Sequence, residues 1–207
     1  MEISRSPDDL TARAKIRDAA FELIAEQGVR GATLRGIARA AGVSPSLVNH
    51  HYGSKQGVVD AVAEWVNGLL RSVSAADGGS RDPAEANVRR SAAFLEVLDG
   101  VPLLRSYIRR ILLDESPEGL DWFASIVDQG AADLRRREKL GLARPSDDVH
   151  AVAAILDFVA LGPVLLPRHI EHALGGDGGE GGEVTMHRWR AATSELLRSA
   201  LYPPEGE

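Results

Sequence analysis

Apolar residues recur at three- and four-residue spacing along most of the chain, the period of helices with one buried face. In the first such stretch Ile16, Ala20, Leu23 and Ile24 form one stripe. Ser6-Pro7-Asp8-Asp9 gives it a start signal: a capping hydroxyl, a proline in the first turn and acids facing the helix dipole. The helix should run to about Gln27, where Gly28 ends it. A shorter stripe of Leu34, Ile37, Ala38 and Ala41 follows the cap candidate Thr33 and stops at Gly42. Ser44 caps a third helix with Pro45 in its favoured first position. Gly53-Ser54 breaks and re-caps the chain before a long helix from Lys55 to about Ser72, with Val58, Val59, Val62, Trp65, Val66 and Leu69 facing inward.

"AADGGSRDP" at 75–83 is a turn-rich break. Helices are expected over 84–99, 102–114, 118–141 and 147–174, the last kinked or divided at Pro163 and Pro167. "GGDGGEGG" at 175–182 reads as a flexible loop, and a final helix covers 184–201. No stretch alternates with the period of a strand. The expected fold is all-α. A helix-turn-helix bundle over 1–54 precedes a larger helical domain over 55–207, joined through the helix at 55–72.

Composition sharpens this picture. With 44% hydrophobic residues the chain can bury a core, and 5% aromatics favours helices over strands. There is no cysteine, which excludes disulfides and thiolate metal sites. No apolar run approaches the roughly 20 residues that span a bilayer, and the polar start lacks a signal-peptide core. A soluble, cytoplasmic protein with no membrane partner is expected. The net charge of −6 is unevenly placed. Residues 1–60 hold eight basic and seven acidic side chains, so this segment is +1 and the remainder −7. An acidic body repels nucleic acid, so any DNA contact falls to the N-terminal segment.

Two short helices joined by a glycine turn over 33–52 describe a helix-turn-helix. Ala38 and Ala41 let the helices approach, Gly42 suits the left-handed turn, and Val43 with Leu47 or Val48 anchors the second helix. Pro45, Ser46, Asn49 and His50 then point outward from the helix that enters the major groove in this motif. Asn49 can pair with an adenine edge, and Ser46 and His50 can donate or accept. Arg35, Arg39 and Lys55 flank them as phosphate ligands, with Thr33 and the helix-start amides in support. A structural hairpin with a merely wet polar face would show the same pattern.

"GATLRGIARAAGVSPSLVNHHYGSKQGVVDAV", with "AFELIAEQGVRGAT" before it, resembles the DNA-binding domain of the TetR family of bacterial transcriptional regulators. The resemblance covers about residues 10–66. It is carried by Gly31-Ala32-Thr33, Ile37-Ala38, Ala41-Gly42-Val43-Ser44 and His51-Tyr52-Gly53-Ser54-Lys55. It implies that Thr33 and Arg35 touch the DNA backbone, that Ser44, Pro45, Ser46, Asn49 and His50 line the recognition surface, and that Tyr52 and Lys55 clamp phosphate. Two positions depart from the family pattern. Asn49 stands where a Tyr is usual, and Gly36 where an acid is frequent, which should loosen that helix by about 1 kcal/mol relative to Ala.

The resemblance further implies a dimer and a small-molecule effector, hence a repressor whose operator affinity the effector lowers. One reading unit covers few base pairs, and a two-fold pair reads two half-sites, so a homodimer on double-stranded operator DNA follows on physical grounds too. The interface candidates are Val152, Ile155, Leu156 and Val159 in the apolar "DVHAVAAILDFVALGPVLL", with Met186, Trp189, Leu196 and Leu197 in the last helix. Ordinary core packing would use the same residues. Phe94, Leu98, Tyr107, Ile111, Trp122, Phe123, Ile126 and Phe158 are the large side chains available to an effector pocket, or to plain packing. They favour an apolar or aromatic effector.

Other chemistry finds little footing. His169 and His172 share a helical face beside Glu171, and His150 could join them, but paired surface histidines usually bind nothing. No metal and no cofactor is expected. "RRREK" at 135–139 is read as a solvated face. The glycine run lacks the Lys-Ser/Thr of a phosphate loop, and no nucleophile elbow or cooperating carboxylate pair is visible, so no enzyme is expected. The competing reading is a helical small-molecule-binding or metabolic protein with a vestigial helix-turn-helix.

Overall fold

The computed structural model describes residues 7–75, 83–114, 116–176 and 181–201. Ser6, most of the break at 75–83, part of the glycine run and the C-terminal tail lie outside them. The described residues form ten helices and fall into two compact units: one of residues up to Arg71 with Val97–Leu120, the other of Ser72–Glu96 with Asp121 onward.

The first unit holds α1 (Pro7–Gly31), α2 (Leu34–Ala40), α3 (Pro45–Tyr52), most of α4 (Lys55–Ala75), the end of α5 (Pro83–Gly100) and α6 (Leu104–Leu113). Ile16, Ala20 and Ile24 of α1 are buried as the stripe predicts, joined by Phe21. Val58, Val62 and Val66 of α4 are fully buried at four-residue spacing. Phe21 is the hinge of the aromatic packing. Its ring lies 5.1 Å from Trp65 edge-on and 5.2 Å from Tyr107. Gly28 interrupts α1 rather than ending it: φ 76 and ψ 171 break the helix, and one more turn reaches Gly31. This is a conformation that only glycine adopts readily. The carboxylate of Asp114, just past α6, fills the space a Cβ at residue 28 would need. Arg110 of α6 donates from Nη2 to the Glu26 carbonyl at 2.9 Å. α6 is thereby bonded to α1 just before the break and packed against it at Gly28, and it makes its main contacts with α1.

The second unit holds most of α5 and α7 (Pro117–Lys139), α8 (Val149–Leu165), α9 (Pro167–Ala173) and α10 (Gly181–Leu201). α7 and α8 meet through small residues, Ala131 and Ala153, with Val149, Val127 and Leu134 around them. Arg137 is buried and donates from Nε to Asp133 at 2.8 Å; Arg136 bonds the other oxygen at 2.7 Å, and Arg90 of α5 approaches to 3.7 Å. Burial alone would raise the Asp133 pKa, but its hydrogen bonds to Arg137 and Arg136 hold it below the ordinary value. The helix expected over 147–174 is divided. Pro163 is accommodated within α8, and the chain turns by 89° at Leu166-Pro167. Leu166 precedes a proline and so leaves the helical region. Among the described residues no single helix is long and apolar enough to cross a membrane.

Candidate nucleic-acid interface

Thr33 caps α2, its hydroxyl accepting from the Gly36 amide at 3.1 Å. A Cβ on residue 36 would stand 3.1 Å from that same oxygen, so the glycine that weakens helix propensity leaves the cap uncrowded. Ile37 and Ala38 are buried beneath α2, and the Val43 amide returns to the Ala38 carbonyl at 2.9 Å. Gly42 makes the turn with φ 67. Ser44 caps α3, accepting from the Leu47 amide at 3.2 Å, while its hydroxyl also meets that of Ser46 at 2.8 Å. Val48 is fully buried and anchors α3. Gly53, with φ 73, ends it, and Ser54 caps α4 through the Gly57 amide at 3.1 Å.

These caps fix which side chains face water. Thr33, Arg35, Ser44, Pro45, Ser46, Asn49 and His50 are all exposed. The first turns of α3 thus present a continuous polar surface free of acidic side chains. Tyr52 and Lys55 are placed differently. The Tyr52 hydroxyl donates to the Arg13 carbonyl of α1 at 2.7 Å, and the Arg13 guanidinium lies 5.1 Å from the centre of its ring. Burial raises the Tyr52 pKa, with the nearby Arg13 cation opposing the shift. Lys55 is half-buried, its ammonium 3.4 Å from the Arg30 carbonyl. Tyr52 therefore ties α3 to α1, and Lys55 ties the start of α4 to the end of α1. Arg13 lay outside the sequence pattern because its partner is 39 residues away.

The other predicted residues are spread over both units. Leu98, Tyr107 and Ile111 are buried in the first. In the second, Trp122 is buried, Phe94, Phe123 and Ile126 are half-buried, and Phe158 stands 61% exposed. Phe158 faces outward because it lies three residues from Ile155, itself 62% exposed on the same face of α8. Leu196 of α10 is 68% exposed, and Val152, Leu156, Val159, Met186, Trp189 and Leu197 are half-buried. Among the described residues no three potential metal ligands converge.

Residues 16–62 match the model of the bacterial regulatory proteins of the tetR family. The HTH-type transcriptional regulatory protein RaaS of Mycobacterium tuberculosis is 35% identical over 158 residues, which cover 76% of this chain and 72% of that one. The chain belongs to the TetR family. A second TetR-family relative, the HTH-type transcriptional repressor KstR2 of Rhodococcus jostii, is 30% identical over 108 residues, about half of each chain (50% and 53%). Solved TetR-like folds extend the match beyond the reading helices. Salmonella enterica GusR superposes with a TM-score of 0.70 at 16% identity, covering 96% of this chain and 98% of that one. The SmeT–triclosan complex does so with 0.66 at 22%, covering 94% and 93%. At these identities the likeness concerns the fold. As a TetR-family member the chain is a DNA-binding transcriptional regulator, and α2 and α3 are its helix-turn-helix.

Proposed function

We propose that two copies of this chain repress transcription from an operator and that a small molecule bound in the helical body lowers their affinity for it. The observation that carries the reading is the set of seven exposed side chains on and around α2 and α3. Asn49 and His50 read base edges, Ser44, Pro45 and Ser46 fit the groove wall, and Thr33 and Arg35 hold the DNA backbone. Tyr52 sets the angle of α3 against α1; Lys55, at the start of α4, reaches phosphate by exchanging one long bond to a carbonyl.

The domains divide the labour: residues 1–54 read DNA, and residues 55–207 receive the effector and dimerise, with α4 as the link. Dimerisation uses α8 and α10, whose Ile155, Phe158 and Leu196 expose apolar area that a second copy would cover. Among the folds compared, SmeT is known as a complex with triclosan, a precedent for a protein of this fold that takes a small molecule. Within the first unit, α6 is bonded to α1 at Glu26 and packed against it at Gly28, so displacing α6 would carry α1 and the reading helices with it.

The test is selection of bound genomic fragments by the purified protein, followed by gel shift over a salt series. The reading expects one enriched palindromic sequence and an affinity that falls steeply with salt. Binding without sequence preference, or none at all, would leave only a helical protein with a disused reading head.

A further inference from the structure

A groove of about 360 Å³ opens in the first unit where three segments meet. Val29 and Arg30 line it from the last turn of α1, Lys55 and Gln56 from the first turn of α4, and residues 116–118 from the start of α7. All of them belong to the same compact unit.

The charges in this lining do not pair with one another. Among the described residues Arg30, Lys55 and Glu118 make no ion pair. Two of the three are explained by their own helices. Glu118 stands in the first turn of α7 and Arg30 in the last turn of α1, the ends where a helix dipole favours an acid and a base. Lys55 has no such account. It is half-buried at the positive end of α4, and no acid in that turn offsets it. Its described bond is the 3.4 Å contact with the Arg30 carbonyl, which neutralises none of its charge. Ser116 completes the polar lining. It is buried, and its hydroxyl accepts from the Gly119 amide at 3.2 Å, so the hydroxyl hydrogen is left to donate.

We infer that the groove binds a small oxyanion, a carboxylate or a phosphate monoester, through Lys55 and Arg30, with Ser116 donating to a further oxygen. A groove of this size holds a small molecule, and Val29 and Pro117 offer its carbon frame an apolar wall. The backbone of a duplex is the poorer occupant, because Glu118 in the same lining repels a polyanion. The consequence rests on the reading that Lys55 also reaches operator phosphate. An anion seated in the groove holds the ammonium there, so anion and operator compete for one cation and operator affinity falls. This site lies at the reading head, apart from the large apolar side chains of the body.

The test titrates the isotope-labelled full-length protein with succinate and with inorganic phosphate at neutral pH, following backbone amides by NMR. Sodium chloride holds the ionic strength constant, and glycerol is the neutral comparison. At least one oxyanion should shift the signals of the groove residues saturably, and glycerol should not. Lys55→Gln and Arg30→Gln should each weaken binding by about tenfold, the scale of one charged contact. Glu118→Gln removes a like charge and should strengthen binding several-fold, a sign that a purely structural role would not give. Unchanged amide spectra away from the groove show that the variants fold. No saturable shift with either oxyanion, or affinity that both cation variants retain, overturns the inference. Gel shifts at the same ionic strength separate it from the operator reading. The bound oxyanion should weaken operator binding by the wild type several-fold more than chloride does, and this excess should vanish in Arg30→Gln. A salt slope lowered by about one in Arg30→Gln would put operator phosphate in the groove and overturn the small anion. Oxyanion binding that leaves operator affinity unchanged overturns the competition for Lys55. Oxyanion binding by a protein that binds no operator supports the groove and tells against the operator reading alone.

Discussion

The two units solve the same packing problem to different degrees. The first has an almost wholly aliphatic and aromatic core, side-chain caps at the starts of α2 and α3, and a polar reading face, with the exposed apolar residues Leu113 and Leu120 outside those helices. The second carries charge inside and apolar surface outside: Arg137 and Asp133 paired, Asp157 alone, and Ile155, Phe158 and Leu196 in water. A face that is complete as a monomer suits a partner drawn by charge and hydrogen bonds. Apolar surface left exposed on α8 and α10 suits a partner that buries it, such as a second subunit.

The contrast can be broken most severely at the apolar face. Phe158→Asp combined with Leu196→Asp should leave the secondary structure intact and convert a dimer to a monomer in sedimentation. Operator affinity should fall about a hundredfold or more, because each copy then binds one half-site. A dimer that survives both charges would remove α8 and α10 from the interface. Next in size is the first unit's strained turn. Gly28→Ala forces a side chain into a glycine-only conformation and against Asp114, and should cost about 1–3 kcal/mol in denaturant unfolding.

Asp157→Asn probes the second unit in the opposite direction. Between pH 3.8, the ordinary aspartate value, and about 6, the folded chain holds a proton that the unfolded chain has released. The stability this confers is complete below 3.8 and is lost as pH rises through about 6. At neutral pH the wild type carries a buried charge that asparagine does not. The variant should therefore be more stable there by about 1–3 kcal/mol, and the gap should close as pH falls below 4. A constant gap across pH would mean the carboxylate is not titrating in that window. The smallest effect belongs to the hydroxyl that fastens α3 to α1. Tyr52→Phe should lose about 0.5–1.5 kcal/mol of stability and weaken DNA binding without changing its salt slope. A lower slope would instead show that this hydroxyl touches phosphate.

How much could be read from the residues follows the same division. Thr33, Gly42, Ser44, Pro45 and Gly53 act through hydrogen bonds and dihedrals within four residues, so their order along the chain was enough to fix α2, α3 and the exposure of Asn49 and His50. Tyr52 and Lys55 escaped that logic because their partners, Arg13 and Arg30, are distant in sequence. In the body, the same large apolar side chains would serve a core, a pocket or an interface. Tyr107 went to the packing around Phe21 and Phe158 to the outside of α8, and nothing in their local spacing separates those fates. Asp157 was invisible for the opposite reason: one acid in an apolar run reads as solvent-facing until the facing helix is known.

The attachment of α6 to α1 has a practical corollary for anyone recombining regulators. A graft that exchanges only the leading 54 residues would bring in a foreign first helix. It would then face an arginine and an aspartate still shaped to the Gly28 break. The portable reading head is discontinuous, comprising the chain up to Arg71 together with Val97–Leu120, and hybrids that move both pieces are the ones that should keep their DNA specificity.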